Sequence, residues 1–412
     1  MVTVIGGGPA GMMAAISAAE KGANVILIER NDSVGKKLLI TGKGRCNITN
    51  ACPTEDLFLN IPTNPSFLYS AIYSFTNYDT ISFFENLGVK TKIERGERVF
   101  PVSDKARDVN NALKDKMRQL GIKIIYDKIT DIIVEKNTVK AIKTRNSLIN
   151  TDRVIVATGG MSYPKTGSDG NGYILAKKCG HSIVEPKPTL TAVETKEKTA
   201  HLMGLSLKNV SLTVFNENGK SIYTDFGEML FTHFGLSGPI VLSSSSHMGS
   251  EPGGKIIEID LKPALSEKEL DERILRDFSK FTNKDFRNSL GELLPIKLID
   301  HIIKLSGIDP FKKVNSITKE ERKKLLNVVK HLRFTAKKYR PIDEAIVTSG
   351  GINVKEIYSS TMESKLVKGL FFAGEIIDVD AYTGGFNLQI AFSTGHLAGE
   401  KAALMEKEDN ND

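Results

Sequence analysis

The chain has no tryptophan and only three cysteines in 412 residues, Cys46, Cys52 and Cys179. Three cysteines at these spacings make no disulfide framework, which excludes a cross-linked secreted scaffold and points to a reducing cytoplasm. No run of eighteen apolar residues occurs, so no membrane-spanning helix is expected. Met1 leads at once into the apolar stretch Val2 to Ile5, which leaves no room for a secretory leader. No internal repeat, low-complexity tract, metal-ligand spacing or Ser-His-Asp arrangement stands out. What remains is an ordinary globular composition, 40% hydrophobic and 25% charged, at a length that suits two or three domains.

Against that plain background the first thirty residues stand out. Val2-Thr3-Val4-Ile5 is a short β-branched strand that runs into Gly6-Gly7-Gly8-Pro9-Ala10-Gly11, a G-x-G-x-x-G pattern. Met12 to Lys21 reads as a helix closed by Gly22, and Val25 to Ile28 as a second strand ending in Glu29 and Arg30. This is the dinucleotide-binding βαβ unit in its required context. Gly6 permits the tight turn, Gly8 lets backbone approach a pyrophosphate, and Gly11 lets helix and strand close together. Pro9 and Ala10 open the helix, whose N-terminal N–H groups attract phosphate. Glu29 lies 18 positions after Gly11 and is placed to accept hydrogen bonds from a ribose.

Further on, strand and helix patterns continue. Gly35 to Asn50 is a polar loop with Lys36, Lys37, Gly42, Gly44, Arg45, Cys46 and Asn47. Pro65 to Asn86 and Asp104 to Gln119 read as helices; Ile122 to Ile125, Ile132 to Val134 and Arg153 to Ala157 read as strands. The last of these ends in Thr158-Gly159-Gly160. Residues 191–263 carry strand patterns without βα alternation, and residues 264–332 read as helical, with capping boxes at Ser266/Glu269 and Thr318/Glu321. The segment Lys312 to Arg340 holds eleven Lys and Arg against Glu320 and Glu321. Such a run suits a solvated helix face, an anionic substrate or RNA. The polar tail Lys407 to Asp412 is expected to fray.

The glycine theme returns near the C-terminus. Gly369 to Ala373 is an apolar strand ending in Gly374-Glu375, followed by Asp378 and by Thr383-Gly384-Gly385. Asn387 to Met405 then reads as a helix with the small residues Ala391, Gly395, Ala398 and Ala402 on one face, matched by Gly11, Ala15 and Ala18 on the first helix. The two chain ends are therefore expected to share one α/β domain, residues 1–190 with 342–412, with residues 191–341 inserted into it. Three glycine turns at strand ends favour FAD over a nicotinamide in the first site, because backbone must run beside a long, extended ligand.

The motifs also resemble a known family. Gly42-Lys43-Gly44-Arg45-Cys46-Asn47-Ile48-Thr49-Asn50, Gly159-Gly160-Met161-Ser162-Tyr163-Pro164, Leu230 to Pro239 and Gly374 through Gln389 are similar to the BaiN-type bacterial NAD(P)/FAD-dependent oxidoreductases. The resemblance implies a Rossmann-like FAD domain built from both chain ends, with a β subdomain and a helical subdomain inserted. It implies cofactor contacts from Ile5, Gly6, Gly8, Pro9, Ala10, Gly11, Glu29, Arg30, Lys36 and Lys37. It implies more from Gly42, Gly44, Arg45, Cys46 and Asn47, the turn Ala157-Thr158-Gly159-Gly160, Gly374, Glu375, Asp378, Gly385, Asn387, Leu388 and Gln389. Ala381-Tyr382 departs from the small or proline-containing pair usual before Thr-Gly-Gly.

The expected activity is hydride transfer between flavin and a small organic substrate, with NAD(P)H or oxygen as the other redox partner. Nicotinamide would visit only transiently, since no second G-x-G-x-x-G unit is present. A catalytic proton donor is not evident; His233 and Tyr382 are candidates, with a structural histidine the plainer reading of His233. Arg45 suits either a ligand contact or a loop-anchoring ion pair. Three alternatives stay open: a thiol–disulfide reductase using Cys46 and Cys52, an RNA-directed flavoprotein using the basic insert, and a flavin-bound redox sensor.

Overall fold

A computed structural model describes residues 1–408, with side chains to residue 404. The rest of the polar tail, and with it most of the expected fraying, lies outside the described residues. The chain divides into two compact units, residues 1–189 with 341 onward, and residues 190–340.

The first unit is built on a five-stranded parallel sheet. Its elements are β1 (Val2–Ile5), α1 (Pro9–Glu20), β2 (Val25–Glu29), β3 (Lys123–Tyr126), β4 (Arg153–Val156), α2 (Asn171–Lys178), β5 (Leu370–Phe372) and α3 (Phe386–Glu408). The strand order is β5-β4-β1-β2-β3. The chain progresses outward from β1 in one direction, through β2 to β3, then returns to β4 on the other side of β1. The gap past the carboxyl ends of β1 and β4 is therefore a topological switch point, where parallel sheets hold ligands. Strands β1 and β4 are buried throughout, as a sheet covered on both faces requires.

Helix α3 packs directly on α1. A Cβ at Gly395 would overlap the Ala10 carbonyl and one at Gly399 the Ala14 carbonyl, so these glycines permit backbone-to-backbone approach. The small stripe read from sequence contributes Ala391, Gly395, Ala398 and Ala402; Gly399 was not part of it and makes an equally close approach.

Pro65 to Asn86 is not one helix. It breaks into Tyr69–Ser74 and Asn77–Asn86 at Phe75-Thr76. Thr76 takes a capping box with Asp79, whose carboxylate accepts from both the Thr76 N–H and its hydroxyl, so a new helix starts there.

The second unit is a closed six-stranded barrel in the order 193–195, 235–237, 221–231, 206–215, 256–260 and 332–339. Helices Glu267–Lys280, Ile296–Ser306 and Lys319–Lys330 complete the unit's core, which buries Ile274, Leu298, Leu325 and Phe334. Both capping boxes read from the sequence are formed. The strand Leu332–Tyr339 was not anticipated, because its lysines and arginines obscured an alternation: Leu332, Phe334 and Ala336 face inward while Arg333 and Lys337 face out. The basic run is also largely neutralised within this unit. Lys312 pairs with Glu321, Lys313 with Asp285, Arg322 with Asp271, Lys330 with Asp260, Arg333 with Glu258, and Lys338 and Arg340 with Glu194.

The sequence showed no serine–histidine–acid arrangement, yet the first unit assembles one. His181 Nε2 lies 2.8 Å from Ser364 Oγ, and Nδ1 lies 3.2 Å from Glu356. It is a clamp rather than a nucleophile: His181 and Ser364 are buried, and Ser364 Oγ already accepts the N–H groups of Leu366 and Val367. Burial lowers the His181 pKa, opposed by Glu356, and burial lowers that of His396, stacked on Phe75 beside Ser17. A histidine held neutral in the fold takes up its proton first in the unfolded chain. This stabilisation is present above the unfolded value near 6.5 and is lost as pH falls below it. The expected result is a denaturation midpoint that drops between about pH 7.5 and pH 5.5, each histidine contributing up to about 1.4 kcal/mol per pH unit. His181→Gln and His396→Gln should flatten that slope; an unchanged slope in the double variant contradicts the assignment.

Candidate functional site

The switch point is assembled from glycine turns that no other residue could make. Gly6 has φ +105° and a Cβ there would lie 2.5 Å from the Ala157 carbonyl oxygen, so the two strand ends touch through backbone. A Cβ at Gly11 would overlap the Gly6 carbonyl, so α1 sits hard against the turn. Gly8 differs: a Cβ built on it meets nothing within 4 Å. That open side lies at the N-terminus of α1, where Pro9 occupies the first helical position and backbone N–H groups lack helical partners. The cradle suits an anion such as a pyrophosphate.

Glu29 closes the other side of this turn. Its carboxylate accepts from Gly7 N at 2.7 Å and from Asn31 N and Nδ2 at 2.8 and 2.7 Å. It is buried, and an ionised carboxylate retains acceptor capacity beyond these bonds.

A second cluster sits at the end of β5. Lys37 reaches inward from its loop to donate to Glu375 at 2.7 Å and to Ser162 at 2.6 Å. Glu375 also accepts from Thr348 N at 2.8 Å and from Ser162 Oγ at 3.1 Å. Asp378 and Asp380 follow. Burial raises the pKa of both acids from the usual carboxylate value, with Asp380 adding to the shift of Asp378 and Glu375 to that of Asp380. Asn64 Nδ2 donates to the Asp378 carbonyl, and Ser349 Oγ to Asp380.

The remaining expected contacts divide by what the structure has them touch. Gly374 N donates to Thr394 Oγ1 on α3, and Gly385 packs its backbone against the Thr49 carbonyl. Asn387 pins the preceding strap: Oδ1 accepts from Ala381 N and Nδ2 donates to Ala381 O at 2.6 Å. Gln389 is buried and bonded to Thr49 Oγ1 and to the Phe75 carbonyl; Leu388 is half-buried. Lys36 pairs outward with Asp32, and Arg30 with Asp169. Arg45 holds Glu94 and Asp104 and lies over the Phe100 ring, so its charge serves the loop itself. Between Gly42 and Gly44 the backbone is left-handed, including Lys43 at φ +60°. Cys46 shares that conformation, is fully buried, and burial pushes its thiol up to about 12. Cys52 is pushed up to about 11, by burial first and then by Asp56. Thiols in that state are poor nucleophiles, which argues against disulfide exchange.

His233, weighed as a proton donor or a structural histidine, lies on the second unit, exposed and edge-on to Phe234. Tyr382 is half-buried and its N–H donates to the Asn60 carbonyl. Asn47 Oδ1, Thr158 Oγ1 and the Tyr173 hydroxyl are closed off from solvent without a hydrogen-bond partner. Asn110 Oδ1, against Gly35, is unpaired in the same way; buried polar atoms are rarely left so, and each such atom calls for a ligand, an ion or an ordered water. Together with the open Gly8 cradle the first three fit a dinucleotide cofactor. Tyr173 was not singled out from the sequence; its signal was a Gly-Tyr pair at the start of a helix, which alone is too common to read.

The profile of the HI0933-like protein Rossmann domain matches residues 1–401. The chain belongs to that family. It is similar to the 3-dehydro-bile acid delta(4,6)-reductase of Clostridium scindens, 31% identical over 411 residues, 98% of each chain. It is also similar to the ribosomal RNA dihydrouridine synthase of Haemophilus influenzae, 31% identical over 397 residues, 95% of this chain and 96% of that one. This places it among the BaiN-like oxidoreductases. Two solved structures share the fold. The 3-ketosteroid delta1-dehydrogenase of Sterolibacterium denitrificans aligns with TM-score 0.52 at 12% identity, over 98% of this chain and 99% of that one. The quinol fumarate reductase of E. coli aligns with TM-score 0.52 at 19% identity, over 100% and 71%.

Proposed function

We propose that this chain is a FAD-dependent oxidoreductase acting on a carbon–carbon double bond conjugated to a carbonyl, in a small organic substrate. The observation that carries the cofactor is the open Gly8 cradle at the N-terminus of α1, with Glu29 beside it on Gly7. The reaction class is supported by chemistry shared among the relatives. A delta(4,6) bile-acid intermediate is a conjugated dienone, and dihydrouridine is uridine with the ring double bond beside its carbonyl reduced.

Bound flavin would supply hydride chemistry. The chain's own part is binding and orientation. Gly6, Gly8 and the first turn of α1 would hold the pyrophosphate and Glu29 the adenosine ribose. Glu375 and the turns at Thr158 and Gly385 would position the remainder. The start of α3 would present a helix N-terminus, which favours negative charge nearby. NAD(P)H, or oxygen in the reverse sense, would be the second redox partner.

A second reading is reduction of uridine in ribosomal RNA. What favours it is the pair of curated ribosomal RNA dihydrouridine synthases, 31% and 28% identical over 95% of this chain. The insert offers less than its sequence suggested: among the described residues Lys319, Lys323, Lys324 and Lys337 are the members of the basic run outside any ion pair.

Anaerobic mixing of the flavin-loaded protein with NADPH and with NADH tests the first reading. Bleaching of the flavin band near about 450 nm, reversed by a 3-keto-4,6-diene steroid, is the expected result. Reversal by unmodified ribosomal RNA and not by the dienone would favour the second reading. Failure of every conjugated acceptor would overturn both.

A further inference from the structure

Two of the orphan hydroxyls lie on elements that meet at the carboxyl end of the sheet. Tyr173 stands in the first turn of α2 and is 5% exposed, its hydroxyl without a partner. Thr158 follows β4, and its hydroxyl is likewise closed off and unpartnered. Gly172 explains how the start of α2 meets the Thr158 turn. A Cβ there would overlap Thr158 Oγ1 and lie 2.6 Å from Ile376, so only glycine lets α2 close on both the Thr158 turn and the Gly374–Ile376 segment. Glu375 and Asp378 are near enough to act on the Tyr173 phenol, which burial first, then those two carboxylates, hold protonated.

This juxtaposition has a definite chemical complement. A protonated phenol donates, a threonine hydroxyl does either, and the Glu375 carboxylate accepts. A phosphate would be repelled by the carboxylates, whereas an alcohol can accept from the phenol and donate to the acid. The phosphate and adenosine positions are already accounted for at Gly8 and Glu29. We propose that Tyr173 and Thr158 are cofactor-positioning residues that hydrogen-bond the polyol (ribityl) chain of bound FAD. This deepens the reading given above and rests on it. In the flavin-free protein both hydroxyls are then buried without compensation, and flavin binding relieves that penalty.

The test uses the full-length protein stripped of flavin, with Tyr173→Phe and Thr158→Val as separate variants. FAD and ADP affinities are measured by fluorescence or calorimetric titration, and thermal midpoints without ligand by circular dichroism. Each variant should bind FAD about fivefold to tenfold more weakly. Each should bind ADP, which has no ribityl chain, like the wild type. The flavin-free variants should melt at or above the wild-type midpoint, because a buried unpaired hydroxyl has been removed. A purely structural role predicts the opposite, a lower midpoint with unchanged FAD affinity, and would overturn the proposal. Equal weakening for ADP and FAD would also overturn it. Wild-type protein that binds ADP but no FAD would instead overturn the reading on which it rests.

Discussion

Gly11→Ala is expected to abolish tight cofactor binding. The added Cβ would overlap the Gly6 carbonyl, which is backbone and cannot swing aside as a side chain could. Relief requires α1 to move away from β1, yet α1 is itself held by α3, where Gly395 and Gly399 press against Ala10 and Ala14. Overpacking of this kind costs about 1–3 kcal/mol in a rigid core. The displaced helix N-terminus would no longer address the Gly8 cradle. A loss of at least about a hundredfold in FAD affinity is expected, since both the backbone hydrogen bonds and the helix dipole are misplaced together. Equilibrium titration of the purified variant with FAD checks this; wild-type affinity would mean that the turn is not the binding element. Gly8→Ala is the matched comparison: its Cβ enters open space, so folding should be unaffected while ligand approach is hindered.

Glu375→Ala has the next largest expected effect. One carboxylate satisfies Lys37, Ser162 and the Thr348 N–H, three donors from three separate stretches of chain. Removing it leaves Lys37, about four-fifths buried, without its counter-charge. Fully buried pairs broken on one side cost about 3–5 kcal/mol. With both side chains still partly in contact with water, about 2 kcal/mol is the expected loss, well above the usual surface pair. Denaturant titration at neutral pH measures it. Lys37→Met in the Glu375→Ala background should recover part of the loss, because the unpaired charge is gone; no recovery would show that the pair is not what holds the segments together.

Legibility in the sequence followed the range of the forces involved. The G-x-G-x-x-G turn and its flanking strands were readable because their conformation is set by neighbours within one βαβ unit. The joining of the two chain ends was readable because a small-residue helix face must meet another. The Ser266 and Thr318 helix starts were readable because a capping box is a local exchange of hydrogen bonds. What was not readable depended on distant partners. The role of Arg45 was decided by Glu94 and Asp104. The ions on Lys312 to Arg340 were matched by acids spread from Glu194 to Glu321. Strand 332–339 was hidden by exposed lysines on a half-buried barrel wall, and the closing of the Tyr173 helix on Thr158 depends on Gly172 meeting a turn fourteen residues back in the chain.

The central claim is that the switch point between β1 and β4 holds FAD, and the absorbance spectrum of the purified, full-length protein tests it most directly. Yellow protein with a flavin band near about 450 nm, or colourless protein that takes up about one FAD per chain when offered it, is the predicted result. Colourless protein that leaves added FAD entirely in solution contradicts it.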